Sequence, residues 1–300
     1  MRGPRYFAVA CRRASGEIVV TAEPVPAIFT RYRWARWPFL RGVFALADTL
    51  ALGMKALFYS AELAAQDEAA ARGASPDGTE PPRTVSGFAI GGSAAVGLGL
   101  GIFLFVLLPH LIARLIERGG ARDLVLNLVE GGLRAAIVVG YIALIGRMKH
   151  VQRLFQYHGA EHQAINAWER ERALSVEAAA RQSLIHPRCG TNFLLLVVLI
   201  KLLLYPLFGW PGHVLVALGL RLALLPVVAA LAFEVIRLAA KYRDFRPLQL
   251  LVAPGLLTQR LTTRKPDREM LAVSVAALAR VIELEEGSLP VPPAPAESAG

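Results

Sequence analysis

Over half of the 300 residues (55%) are apolar, the formal net charge is +10, and the only cysteines are Cys11 and Cys189. That apolar fraction exceeds what a soluble domain usually carries, and two distant cysteines make no disulfide framework, so a reducing compartment is expected. The basic residues flank apolar runs and are not interleaved with aromatics; this speaks against nucleic-acid binding and fits an anionic membrane surface, making membrane lipids the expected partner.

The N-terminus carries Arg2, Arg5, Arg12 and Arg13, and no short apolar core with a small-residue cleavage site, so no signal peptide is expected. Residues 5–23 read as a β-hairpin turning at Ala14-Ser15-Gly16. From Phe39 to Leu63 runs a helix that is apolar all round except for Arg41, Asp48, Lys55 and Glu62. Their seven-residue spacing makes one narrow polar stripe, suited to lying along a membrane surface or packing on other helices. Residues 66–86, rich in Ala, Pro, Gly and charge, read as a flexible linker.

Four long apolar stretches follow: Phe88 to Ala113, Leu124 to Gly146, Asn192 to Phe208 and His213 to Ala240. The first is long enough to cross a hydrocarbon core of about 30 Å, and its Ser93, Gly97 and Gly101 form a small-residue ridge. The last two form a helical hairpin around Gly-Trp-Pro-Gly at 209–212. The tail after Gly287 is Pro- and Ala-rich and reads as disordered. The expected fold is therefore mainly α: a polytopic membrane protein with about four transmembrane helices, an N-terminal β-hairpin and amphipathic cytoplasmic helices. In order come a hairpin segment (1–38), an amphipathic helix (39–65), a linker (66–87) and transmembrane helices 1–2 (88–146). A cytoplasmic segment (147–191), a transmembrane hairpin (192–240), a second cytoplasmic segment with an amphipathic helix (241–286) and a tail (287–300) complete it. Segments 1–87, 147–191 and 241–300 hold 26 Lys and Arg, against Arg114, Arg118 and Arg122 on the other side. Four crossings with the basic side inside place both termini in the cytoplasm of an inner-membrane protein.

The strongest chemical signal is Tyr157-His158-Gly159-Ala160-Glu161-His162. On a helix His158 and His162 lie one turn apart, so both imidazoles can reach one ion, with Glu161 between them as a general base or a further ligand. Val151, Leu154, Phe155, Ile165 and Trp168 form an apolar stripe that includes His158, Glu161 and His162, and buried polar groups need partners. A metal is one solution; hydrogen bonds between the histidines or to backbone are the other. Further candidate ligands are Glu169, two turns on, His186 and Cys189 in His-Pro-Arg-Cys-Gly, and Glu234, which can instead pair with Arg237. A mixed nitrogen–sulfur set suits a divalent metal, zinc first.

A second cluster, Asn127, Glu130 and Arg134 with Tyr141 two turns further, lies within a crossing. Ionisable groups there face a bundle interior or aqueous cavity, either pairing with each other or serving a substrate. Lys201, mid-helix, is expected to face the bundle or snorkel, with Glu130 or a backbone carbonyl as partner. His110, His150 and His213 flank membrane ends and suggest only interface placement.

Met-Arg-Gly-Pro at the start, the Tyr-His-Gly-Ala-Glu-His run, His-Pro-Arg-Cys-Gly-Thr, and Pro254-Gly255 through Leu261-Thr262-Thr263-Arg264-Lys265-Pro266-Asp267 resemble the YqhQ-like bacterial membrane family, a domain of unknown function. The resemblance covers nearly the whole chain to about residue 286 and implies a membrane location and a metal-dependent enzyme, without naming a substrate. Family members begin further upstream, with a Gly-rich segment ending Glu-Gly-Val-Met, whereas this sequence opens at Met1 within the motif. Two functions follow. One is a cytoplasm-facing metal-dependent hydrolase for peptide or lipid-linked substrates, with His158, His162 and His186 as ligands, completed by Glu169, Cys189 or Glu234, and Glu161 as base. The other is a non-enzymatic scaffold or transport-related protein with a structural metal, which four protein ligands would close.

Overall fold

The computed structural model describes residues 1–25, 37, 40–72, 87–117, 119–120, 122–210, 213–242 and 245–287. Most of the linker reading and nearly all of the tail fall outside these. Strands β1 (Tyr6–Arg12) and β2 (Ile18–Pro24) pair antiparallel with Arg12 opposite Ile18, and Gly16 adopts positive φ in the turn between them. Ten helices follow in the described chain: α1 (Leu40–Ala71), α2 (Gly87–Ile102), α3 (Leu108–Glu117), α4 (Asp123–Ile145), α5 (Lys149–Glu171), α6 (Val176–Ala180), α7 (Gly190–Leu204), α8 (Val214–Lys241), α9 (Arg246–Thr262) and α10 (Arg268–Glu286).

The expectation of a mainly α chain with an N-terminal hairpin holds. Five helical stretches are long and apolar enough to cross a membrane: Arg41–Ala71, Ala95–Glu117, Asp123–Ile145, Gly190–Phe208 and Leu215–Ala239. The last four match the apolar stretches of the sequence. The first is α1, which extends to Ala71, past the expected end at 65. Three of its four stripe residues meet partners: Arg41 pairs with Glu234 of α8, Asp48 with Arg2 at 3.5 Å and Lys55 with Glu23 of β2, while Glu62 is exposed; beyond the stripe, Asp67 pairs with Arg13 at 2.6 Å. From Asp48 to Asp67, α1 thus runs along the hairpin from base to tip.

The hairpin also packs on α10, and α10 on α5 and α6. A core of Ala160, Ala164 and Ala167 of α5, Ala178 and Ala179 of α6, and Met270, Leu271, Val275, Leu278 and Ile282 of α10 joins this layer. Asp267 caps α10 by accepting from the Met270 N–H at 2.7 Å. Gly3 approaches α10 so closely that an added Cβ would lie 2.7 Å from Glu285 Oε1, the carboxylate that accepts from the N–H groups of Arg5 and Tyr6. Met-Arg-Gly-Pro is therefore a docking segment.

Between α2 and α3 lies one π-helical turn, Phe103–Leu107. Pro109 has no N–H for the carbonyl four residues back, and the Arg134 guanidinium of α4 donates to that Phe105 oxygen at 2.8 Å. Helix α9 lies against α7 at Gly255, where an added Cβ would meet Asn192 Oδ1 at 1.8 Å.

Candidate metal centre

Helix α5 follows the turn at Gly146 and ends at Arg172, which adopts the left-handed conformation. Its buried residues are Phe155, Gly159, Ala160, His162, Gln163, Ala164, Asn166 and Ala167. The inward face is therefore rotated from the apolar stripe expected from sequence: Leu154 is 63% exposed and Glu161 is exposed. Small residues and amides form the real face because the neighbours there are backbone. The segment after α9 crosses so tightly that an added Cβ on Gly159 would lie 2.2 Å from the Arg264 carbonyl. The irregular segment 181–188 crosses beside it. Its carbonyls have no ladder to join, and α5 supplies the donors. Gln163 Nε2 donates to Gln182 O at 2.8 Å, and Asn166 Nδ2 to Ser183 O at 2.9 Å and Ile185 O at 3.2 Å. From α9, the fully buried Gln259 takes the His186 N–H and donates back to its carbonyl, each at 2.9 Å.

These crossings gather three residues. One ligand atom each from His158, His162 and Cys189 lies within 4.8 Å of the others. His158 bonds the Thr262 carbonyl through Nδ1 at 2.8 Å, and its Nε2 lies 3.0 Å from Cys189 Sγ. His162 Nδ1 bonds the Leu184 carbonyl at 2.5 Å, and its ring stands edge-on to that of His158 with centroids 4.4 Å apart. Each Nδ1 is thereby a donor to backbone, which fixes the tautomer that frees Nε2 for an ion. Cys189 caps the N-terminus of α7, the positive end of that helix. Burial opposes ionisation of its thiol, but hydrogen bonds from His158 and His162 outweigh this and hold it at about 5. Burial lowers and the Cys189 contact raises the His158 imidazole, with a net rise. Two imidazole nitrogens and a thiolate, oriented by main-chain carbonyls, fit a zinc-like ion.

The remaining sequence candidates are placed differently. The His186 ring lies 5.8 Å from that of His162 and tilted to it; its Nε2 is buried without a hydrogen bond and lies 3.5 Å from Glu169 Oε1, outside the triad. Burial pushes its imidazole down. Glu169 pairs with Arg188, and Glu234 with Arg41 of α1. Glu161 lies near enough to raise His158 but takes no place in the triad. Reading the motifs alone missed Gln163, Asn166 and Gln259, whose side-chain amides on helix faces were the available signal, and the Thr262 main-chain carbonyl, which no residue type announces.

The second cluster is larger than expected. Glu130 bonds Arg134 at 2.6 Å, Arg221 of α8, and His110 of α3 at 3.1 Å. His110 is 1% exposed and faces Trp210 at 5.0 Å, so it is a bundle residue and not an interface one. Tyr141 is outside the cluster, edge-on to Phe105 at 5.5 Å. Lys201 does face the bundle.

With several apolar helices able to cross a membrane beneath a helical layer that gathers a histidine–cysteine triad, the chain has the build of a multi-pass membrane protein with a possible metal site. Residues 37–284 match the family described as "Protein of unknown function (DUF1385)", and the chain belongs to it. It is 32% identical over 292 residues to "Uncharacterized protein YqhQ" of Bacillus subtilis (strain 168), covering 94% of this chain and 89% of that one. No solved structure matches.

Proposed function

We propose that the protein is a metal-dependent membrane hydrolase whose ion is held by His158, His162 and Cys189. The observation that carries this reading is the pair of Nδ1-to-carbonyl bonds that turn both Nε2 atoms toward one thiolate. A divalent ion held there, zinc first, supplies Lewis acidity to a water or carbonyl. The chain's own residues do the rest. Thr262 and Leu184 orient the rings, and Glu161, exposed one helical turn from His158, is free to take a proton from the attacking water. His186 stands aside with Glu169, so an ion held by the three protein ligands would keep a position free for water, as catalytic sites do. Cys189 immediately precedes a candidate membrane helix, which suits peptide or lipid-linked substrates presented at the bilayer surface. The excess of Lys and Arg in the three segments that form this layer supports a cytoplasmic orientation.

The test is metal analysis of detergent-purified protein, native and with His158→Ala and His162→Ala. Stoichiometric metal in the wild type and none in the variants is expected. Loading with cobalt should give a thiolate-to-metal charge-transfer band that Cys189→Ser removes, and added azide should perturb the spectrum at the open position. Folded wild-type protein that takes up no zinc, cobalt or manganese would end the reading. A cobalt site indifferent to azide and altered by His186→Ala would favour a closed, structural site.

A further inference from the structure

The polar cluster among α3, α4, α7 and α8 is built independently of the metal centre. Glu130 is 1% exposed, and both of its oxygens are already engaged: Oε1 by Arg134, Oε2 by Arg221 and His110. Two guanidiniums thus share one carboxylate. Lys201 adds a third cation, and it has no ion-pair partner among the described residues. Lys201, Glu130, Arg134 and Asn127 line a void of about 10 Å³ together with Tyr205, room for about one water-sized particle. A second void of about 10 Å³ lies between Tyr205, Asn127 and Arg221. Tyr205 lines both, and its hydroxyl is buried with no hydrogen-bond partner among the described residues. The Asn127 amide N–H groups are spent on the Asp123 and Gly209 carbonyls.

This site therefore offers an ammonium and a hydroxyl as unspent donors and holds more positive than negative charge. Burying unbalanced charge in a bilayer is costly unless a counter-charge accompanies it. A water would satisfy the donors and leave the charge. A monatomic halide, slightly larger than a water, is the smallest anion that could enter with modest side-chain adjustment; a carboxylate or phosphate is larger still. Glu130 lies seven residues from the start of α4, roughly 10 Å along its axis, so the site sits inside the bundle near the end of the spans opposite the metal centre.

We propose that this cluster binds a halide-sized inorganic anion, chloride first, between Lys201, Tyr205 and the two arginines. The full chain in detergent would be melted in sodium gluconate while chloride, bromide or inorganic phosphate replaces gluconate at constant ionic strength. Chloride and bromide should raise Tm by a saturable few degrees, and phosphate should not. Lys201→Met should lose that rise while melting no lower than wild type in gluconate, because an uncompensated buried charge has been removed. Tyr205→Phe should weaken the halide dependence several-fold. Crystals grown in bromide should show an anomalous peak beside Lys201 Nζ. A wild-type melt indifferent to halide, or an equal rise in Lys201→Met, would overturn the proposal. So would bromide crystals without that peak.

Discussion

Gly159 sits between the residues that matter most, and its missing side chain lets the Arg264 carbonyl lie against α5. Gly159→Ala should push the 262–264 segment outward and cost about 1–3 kcal/mol. It should also lower metal occupancy without touching a ligand, because Thr262 would leave His158. Thermal melts with metal analysis read both effects. Gln259→Leu should cost about 1–3 kcal/mol by leaving the buried His186 backbone unpaired. The pH dependence of binding follows from His158, whose imidazole holds its proton above the usual histidine range although burial opposes it. An ion must displace that proton, so affinity should rise with pH until the raised value is passed; Cys189, held at about 5, adds little above mildly acidic pH. Zinc titrations across this range check the slope, and a pH-independent affinity would contradict it. His158, His162 and Cys189 were legible because helical spacing and a short Pro- and Gly-flanked turn announce them. The orientation of Glu161 was not, since large apolar residues marked the wrong face of α5 while alanines and amides marked the right one.

Helix α1 shows what element-scale patterning does and does not fix. Its seven-residue polar stripe was plain in the sequence, and each group whose partner is described meets an opposite charge. Hydropathy alone ranks it as a fifth candidate span. Ion pairs from Asp48 to Asp67 bind it to the hairpin, while Leu50 and Leu57, 68% and 66% exposed, face away. A helix held by a polar layer on one side and apolar on the other is expected to lie in the membrane interface. A fluorophore on Leu57→Cys should be quenched more by headgroup-level than by deep acyl-chain spin labels; deep quenching would make α1 a crossing. The hairpin's other attachment is pH-sensitive. Burial opposes ionisation of Glu285, but the N–H groups of Arg5 and Tyr6 and the Arg5 guanidinium hold its carboxyl below the usual range. That docking is fully present above the ordinary carboxylate pKa and lost as pH falls through the lowered one. Protection of the β1 amides, taken relative to their intrinsic exchange at each pH, should fall on acidification, and Glu285→Gln should remove this response.

At the scale of the molecule, apolar surface surrounds α2, α7 and α8, with Val96, Leu98, Leu203, Leu207 and Leu222 among the exposed residues, and basic residues crowd one end. Cysteines placed at Gly120 or Gly212 should react with an impermeant reagent added outside intact cells, and those at Ser75 or Ser288 should not. Reaction at Ser75 would invert the orientation. Length and composition suffice to mark these helices. They were silent on what joins the two layers, because the joints are bonds from side chains to main chain, which no residue pair records. Gln163, Asn166, His162 and Asn192 all donate to carbonyls of residues 182–187. A carbonyl is the same whatever side chain follows it. In a saturation library, Arg181, Ser183 and Arg188 should therefore accept almost any residue while their amide anchors accept few. The segment that presents Cys189 can drift in sequence, and recruit new specificity, without moving the ligand it carries.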